Sequence, residues 1–160
     1  MKSEDANETM RFIFMLSLAI LLVLAGGCTM PRIMMLSDPL TPEEHLQLGI
    51  AYEKNGELDN AINEYEAAAR KTPRAHYYLG NAYFQKKEFG RAESYYKKAI
   101  KKEASNADAY NNLAWLYCVQ RKNLDEAEGF VLKALELNPV KEDTYKDTLE
   151  RIRKLKKTIE

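Results

Sequence analysis

His45-Leu46-Gln47-Leu48-Gly49-Ile50-Ala51-Tyr52 returns 31 residues on as His76-Tyr77-Tyr78-Leu79-Gly80-Asn81-Ala82-Tyr83, and 34 residues later as Tyr110-Asn111-Asn112-Leu113-Ala114-Trp115-Leu116-Tyr117. In each octet a large ring comes first, Leu fourth, a very small residue fifth and Tyr last. That spacing of three and four gathers these residues on one side of a helix. Behind each octet runs a second helical pattern: Ala61, Tyr65 and Ala68, then Ala92, Tyr96 and Ala99, then Ala127, Val131 and Ala134. Gly56 marks a turn between the two runs of the first copy, and Pro73 and Pro139 close the first and third copies. The chain therefore reads as three helix–turn–helix units. A lone hairpin leaves one apolar side open, and stacking buries it, so three units are close to the smallest stable array.

These residues resemble the tetratricopeptide-repeat (TPR) motif: a large residue, Leu-Gly three on, Tyr three further, then Ala, an aromatic and Pro at fixed offsets. The match runs from Pro42 to Pro139, as repeats 42–72, 73–106 and 107–139. The resemblance implies an all-α TPR solenoid. The small residues Gly49, Gly80 and Ala114 are expected to face Ala61, Ala92 and Ala127, letting paired helices approach closely, with larger side chains filling the space around them.

The spacing carries two further expectations. The junction near Lys71 to Arg74 is three residues shorter than its counterpart, which predicts a tighter turn. Repeat three has one extra residue in CVQRKNLDEA (118–127), which predicts a larger turn and unchanged packing. After Pro139, Tyr145, Leu149, Ile152, Leu155 and Ile159 recur every three or four residues, so 140–160 reads as an amphipathic helix capping the array. Its Arg151, Arg153, Lys154, Lys156 and Lys157 cluster where a helix C-terminus favours cations, and are read as a solvated face.

Upstream, Phe12 to Ala25 is an uncharged apolar run of 14 residues behind Arg11. That is the pattern of an export signal, and it is shorter than the roughly 20 residues a membrane span needs. Leu24-Ala25-Gly26-Gly27-Cys28 resembles the lipobox of bacterial lipoproteins, with Ala25 where Leu is usual. The resemblance implies removal of 1–27, lipidation of Cys28 and a tether over 28–41; ordinary cleavage with a free Cys28 is the alternative. Acidic Glu4, Asp5 and Glu8 are out of place before a signal, so translation is expected to begin at Met10. Thr29 after the cysteine implies a periplasm-facing outer-membrane address if the source is Gram-negative.

Lys plus Arg and Asp plus Glu number 24 each, so no net field draws the protein to nucleic acid. Two cysteines make no disulfide framework, and a lipidated Cys28 could not bridge to Cys118. His45 and His76 share one repeat position and are read as packing residues rather than metal ligands; Cys118 is read as a small half-buried hydrophobe. No nucleophile elbow, phosphate loop or zinc-hydrolase motif is present, so the chain reads as a non-enzyme without cofactor, metal or small-molecule substrate.

In TPR proteins the first helices line a concave groove. Carried across, the groove positions are Leu46, Ile50 and Glu53, then Tyr77, Asn81 and Phe84, then Asp108, Asn111, Trp115 and Cys118. The carboxylate clamp of co-chaperone TPR domains has no counterpart, since Leu46, Ile50, Tyr78, Asp108 and Asn112 stand at its positions. Asn81 and Asn111 suit hydrogen bonds to an extended backbone, and Trp115, the single tryptophan, suits an anchor or a contact of the capping helix. The expected function is a membrane-tethered scaffold or assembly adaptor of the bacterial envelope, holding a protein or peptide partner in its groove and the membrane through Cys28. An accessory subunit presenting substrates to an envelope protease or cell-wall enzyme is the alternative.

Overall fold

The computed structural model describes residues 38–159, and these residues form seven α-helices and no strand. The expected leader, Cys28 and the tether up to residue 37 lie outside the described residues. The helices are α1 (Pro42–Lys54), α2 (Leu58–Ala69), α3 (Ala75–Gln85), α4 (Phe89–Lys102), α5 (Ala107–Gln120), α6 (Leu124–Leu137) and, after a 3₁₀ turn at Pro139–Lys141, α7 (Glu142–Ile159). They pair as hairpins α1–α2, α3–α4 and α5–α6; each hairpin packs on the next, and α7 lies against α6 and α5.

Local chemistry sets the helix ends. Thr41 and Glu44 form a capping box at the start of α1: the Glu44 N–H donates to Thr41 Oγ1 at 3.2 Å, and the Thr41 N–H donates to Glu44 Oε2 at 2.7 Å. All three first helices stop the same way. Gly56, Lys87 and Arg121 take positive φ, and the next residue's N–H returns to the carbonyl of Tyr52, Tyr83 or Tyr117. This Schellman closure satisfies carbonyls that a helix end leaves open. Repeat three adds its extra residue after this shared stop, where Asn123 takes a second left-handed conformation before α6 begins.

The expected tighter turn after repeat one is not found: five residues join α2 to α3 and four join α4 to α5, and the three-residue deficit is taken from the facing ends of α2 and α3. The Thr72 N–H closes α2 on the Ala68 carbonyl, while the Thr72 carbonyl accepts from Ala75 at the start of α3. In the next junction those two jobs belong to Glu103, which closes on Ala99, and to Asn106, whose carbonyl accepts from Ala109.

The seam inside each hairpin differs from the expectation that alanine chiefly faces glycine. A Cβ built on Gly49 would sit 2.5 Å from the Tyr65 ring and 3.2 Å from the Ala61 carbonyl oxygen; on Gly80 it would sit 2.5 Å from the Tyr96 ring. The tyrosine ring thus fills the space that the missing side chain vacates. At the equivalent positions of hairpin three, Ala114 and Val131 are both fully buried. The extra methyl on one helix matches the smaller side chain on the other.

Burial grades along the stack. Leu48 and Tyr52 of the first hairpin are half-buried, whereas Leu79, Tyr83, Leu113 and Tyr117, which lie against a preceding hairpin, are buried. Glu93 fastens hairpins two and three, accepting from the Tyr117 hydroxyl at 3.0 Å and from Lys122 and Lys97 at 2.8 Å. Burial opposes its ionisation, but the bonds from Lys122, Lys97 and Tyr117 prevail and hold its pKa at about 2.

At the far end α7 buries Tyr145, Leu149 and Ile152, while Leu155 is half-buried and Ile159 is 61% exposed. The apolar strip therefore runs off the array before the helix ends. Its basic face is not wholly solvated either: Arg153 and Lys156 reach Glu128 of α6 at 2.7 and 3.0 Å, latching the cap to the last hairpin.

Candidate concave-groove site

The first helices α1, α3 and α5 bring Glu53, Asn81, Phe84 and Trp115 together around a pocket of about 210 Å³, joined by Gln85, Tyr96 and Asn112. Its floor is a hydrogen-bond network. Asn81 Oδ1 accepts from the Tyr96 hydroxyl and from Asn112 Nδ2, both at 2.9 Å. The Asn81 amide N–H groups approach the Tyr77 hydroxyl, where they partly offset the burial that raises that phenol's pKa. Glu53 accepts from the Tyr65 hydroxyl and from the Gln85 amide, each at 2.5 Å. Those partners are neutral, so its charge stays uncompensated.

Tyr65 and Tyr96 have a double role. Their rings form the glycine seams, and their hydroxyls emerge on the groove side to hold Glu53 and Asn81. Desolvation by burial raises the pKa of both phenols, so they stay protonated donors. Tyr96 escaped the sequence reading because its position signalled packing alone. Asn112 was placed only at a position of the absent clamp, because its neighbour Asn111 was assigned to the groove face; one residue is about 100° of helix rotation.

Other expected groove residues are placed differently. Leu46 is fully buried in the core between hairpins and cannot touch a ligand. Asn111 is buried at 7% exposure, its Oδ1 without a partner, which leaves Asn81 as the one of these two asparagines that lines the pocket. Ile50 is half-buried against the core, and Cys118 is buried, with desolvation raising its thiol pKa. Tyr77 is half-buried and edge-on to Tyr78, with ring centroids 5.2 Å apart. Asp108 is engaged within the protein: Lys141 reaches it at 2.7 Å and the Tyr145 hydroxyl at 2.8 Å, tying the cap to α5.

Trp115 is half-buried and lies on the boundary between two concavities. Beyond it, between α5 and α7, lies a second one of about 720 Å³, walled by Val119, Leu155 and Ile159 and rimmed by Arg121, Arg151 and Lys154. The Arg151 guanidinium sits 5.5 Å from the indole centroid, a cation–π contact between the cap and the ring. Trp115 is thus a groove residue steadied by the cap.

The two histidines diverge. His45 is buried between two carboxylates, Glu64 at 2.6 Å from Nδ1 and Asp38 at 2.9 Å from Nε2. The bond to Glu64 outweighs desolvation and, with Asp38, raises the His45 pKa. His76 is half-buried, with Nδ1 3.0 Å from the Pro73 carbonyl. One repeat position therefore holds an ion triad in hairpin one and an ordinary packing ring in hairpin two. Among the described residues no cluster of three or more His, Cys, Asp or Glu side chains is placed to hold a metal ion, and no helix is long and apolar enough to cross a membrane.

Two tetratricopeptide-repeat family models match the chain, over residues 46–105 and 95–129, together more than half of its 160 residues. No curated protein matches it. The fold is similar to the first TPR of Spaghetti (RPAP3) bound to an HSP90 peptide, SRMEEVD, at 26% identity over 73% of this chain and 94% of that one, with a TM-score of 0.65. It is similar also to the TPR domain of Arabidopsis OM64, at 24% identity over 71% and 94% with a TM-score of 0.64. The TPR2B domain of yeast Sti1, solved in complex with pHsp70, matches at 18% identity over 71% and 96%, with a TM-score of 0.66.

Proposed function

The chain belongs to the tetratricopeptide-repeat family, and from that premise we propose that it is a lipid-anchored scaffold of a bacterial envelope that recruits or organises a partner through its concave groove. The fold is that of a protein-interaction scaffold, and such repeats are in general non-catalytic interaction modules. The observation that carries the groove reading is the pairing of Asn81, whose amide donors reach no protein partner but the Tyr77 hydroxyl among the described residues, with the half-exposed indole of Trp115 in one pocket. A backbone carbonyl satisfies the first and a bulky side chain covers the second, which is how an extended segment is gripped with loose sequence demands. The similar Spaghetti domain holds a peptide, which supports a peptide occupant here. No clamp cation stands at its expected position, so an acidic C-terminus is not the proposed occupant.

The anchoring part of the reading rests on the apolar run Phe12–Ala25 and the small residues before Cys28. Two acyl chains suffice for durable attachment, at about 0.8 kcal/mol per buried methylene. Photocrosslinking from position 77 in the native host, followed by mass spectrometry of what Trp115→Ala no longer captures, tests the groove. The expected outcome is loss of specific partners with helicity intact. Recovery of the same partners by Trp115→Ala would sink it. Cell fractionation of Cys28→Ser tests the anchor: release from the membrane is expected, and unchanged membrane retention refutes it.

A further inference from the structure

The two concavities that meet at Trp115 differ in charge. In the pocket toward α1 the sole charged side chain is Glu53, which has only neutral partners among the described residues. In the depression toward α7 the rim carries Arg121, Arg151 and Lys154 against Asp147 and Glu150. Asp147 is taken by Arg151, at 3.1 Å. Arg121 and Lys154 make no ion pair among the described residues, so they exceed the remaining Glu150 by one positive charge. Between the acidic and basic ends stand the Trp115 indole and the apolar wall of Val119 and Leu155.

We propose that this groove selects a polypeptide segment of fixed polarity: a cationic side chain at Glu53, a bulky apolar side chain on Trp115, and an acidic side chain between Arg121 and Lys154. The inference rests on the groove reading above and adds the chemistry of the occupant. Charge complementarity and the continuity of the two pockets through one ring single out this occupant. An all-acidic tail meets Glu53 at one end, and an all-basic segment meets Arg121 and Lys154 at the other. Only a segment with opposite charges on either side of an apolar residue satisfies both ends. Such order fixes direction as well as composition, because reversing the segment reverses both contacts.

The single tryptophan supplies the readout, since an occupant at the junction changes its emission. The probes are four tryptophan-free, N-acetylated decapeptide amides with a central Leu-Phe pair. Two lysines precede and two glutamates follow it in the first; the second has the reverse order; the third carries lysines at both ends and the fourth glutamates at both ends. They are titrated against the full chain in detergent at low salt. One of the two mixed-charge peptides is expected to bind about fivefold more tightly than either like-charged peptide, with the advantage shrinking as salt rises. Arg121→Gln with Lys154→Gln, both on exposed residues, removes the advantage over the all-lysine peptide; Glu53→Gln, which keeps an acceptor for the Tyr65 hydroxyl, removes it over the all-glutamate peptide. Equal binding of all four overturns the polarity and leaves the peptide groove standing. No change in Trp115 emission with any peptide up to about 1 mM overturns both.

Discussion

Hairpins one and two close their helix pairs with glycine under tyrosine; hairpin three closes the same gap with alanine and valine. In the first two, Tyr65 and Tyr96 pass so near Gly49 and Gly80 that a single added carbon would stand 2.5 Å from the ring. In the third, Ala114 and Val131 are buried with no such ring present. The difference is one of reach. A tyrosine crosses the seam and places a hydroxyl on the groove side, where it fixes Glu53 or Asn81, whereas valine ends inside the core. The groove over hairpin three is therefore not braced from below, and Trp115 is steadied from above by Arg151 of the cap.

The sharpest way to break this comparison is to exchange the two solutions. Gly80→Ala is expected to destabilise the protein by about 2 to 3 kcal/mol, because the Tyr96 ring is confined and must shift. Val131→Tyr is expected to cost about as much, by driving a ring against Ala114. Combining Val131→Tyr with Ala114→Gly should recover much of that loss. Urea unfolding of the two singles and the double measures the coupling, and strict additivity would show that the seams are not equivalent.

A smaller effect separates the hairpins by pH. The raised His45 pKa means that its pairing with Glu64 and Asp38 stabilises fully below the ordinary histidine value near 6.5 and is lost as pH rises through the raised one. Asp38 is shifted down, chiefly by its bond to the Leu40 N–H, so its share is present above the ordinary carboxylate value and fades as pH falls. The triad thus contributes most in mildly acidic solution. Urea midpoints measured from pH 6 to pH 10 should fall less steeply in His45→Gln than in the parent.

Smallest of all, Gly129 lies inside α6 where an added Cβ meets nothing within 4 Å. Gly129→Ala should therefore stabilise by about 0.5 to 1 kcal/mol, opposite in sign to Gly80→Ala. A thermal melt distinguishes the signs at once.

The repeats, their turns and the capping helix were legible because periodicity of three and four reports one helix's buried side directly. The deficit of residues at the first junction was legible, but not that it is taken from the ends of α2 and α3 rather than from the turn between them. What sequence did not show were relations between helices. Leu46 occupies a groove position by register, yet the stacking of hairpin two removes it from solvent. Asp108 carries the charge of a ligand contact but lies within reach of Lys141, 33 residues along the chain. His45 and His76 look alike until folding brings Glu64 to one of them, across 19 residues. Glu53, Asn81, Phe84 and Trp115 were found together because their neighbours leave them partly open.

The hydroxyl of Tyr96 gives the groove a route of communication through the layer beneath it. An occupant that draws Asn81 toward itself also pulls on a donor rooted in α4, on the far side of Gly80. Partner binding should then be audible in a helix the partner never touches, as slower amide exchange along α4, while α6, which sends no side chain of this kind to the surface, stays silent.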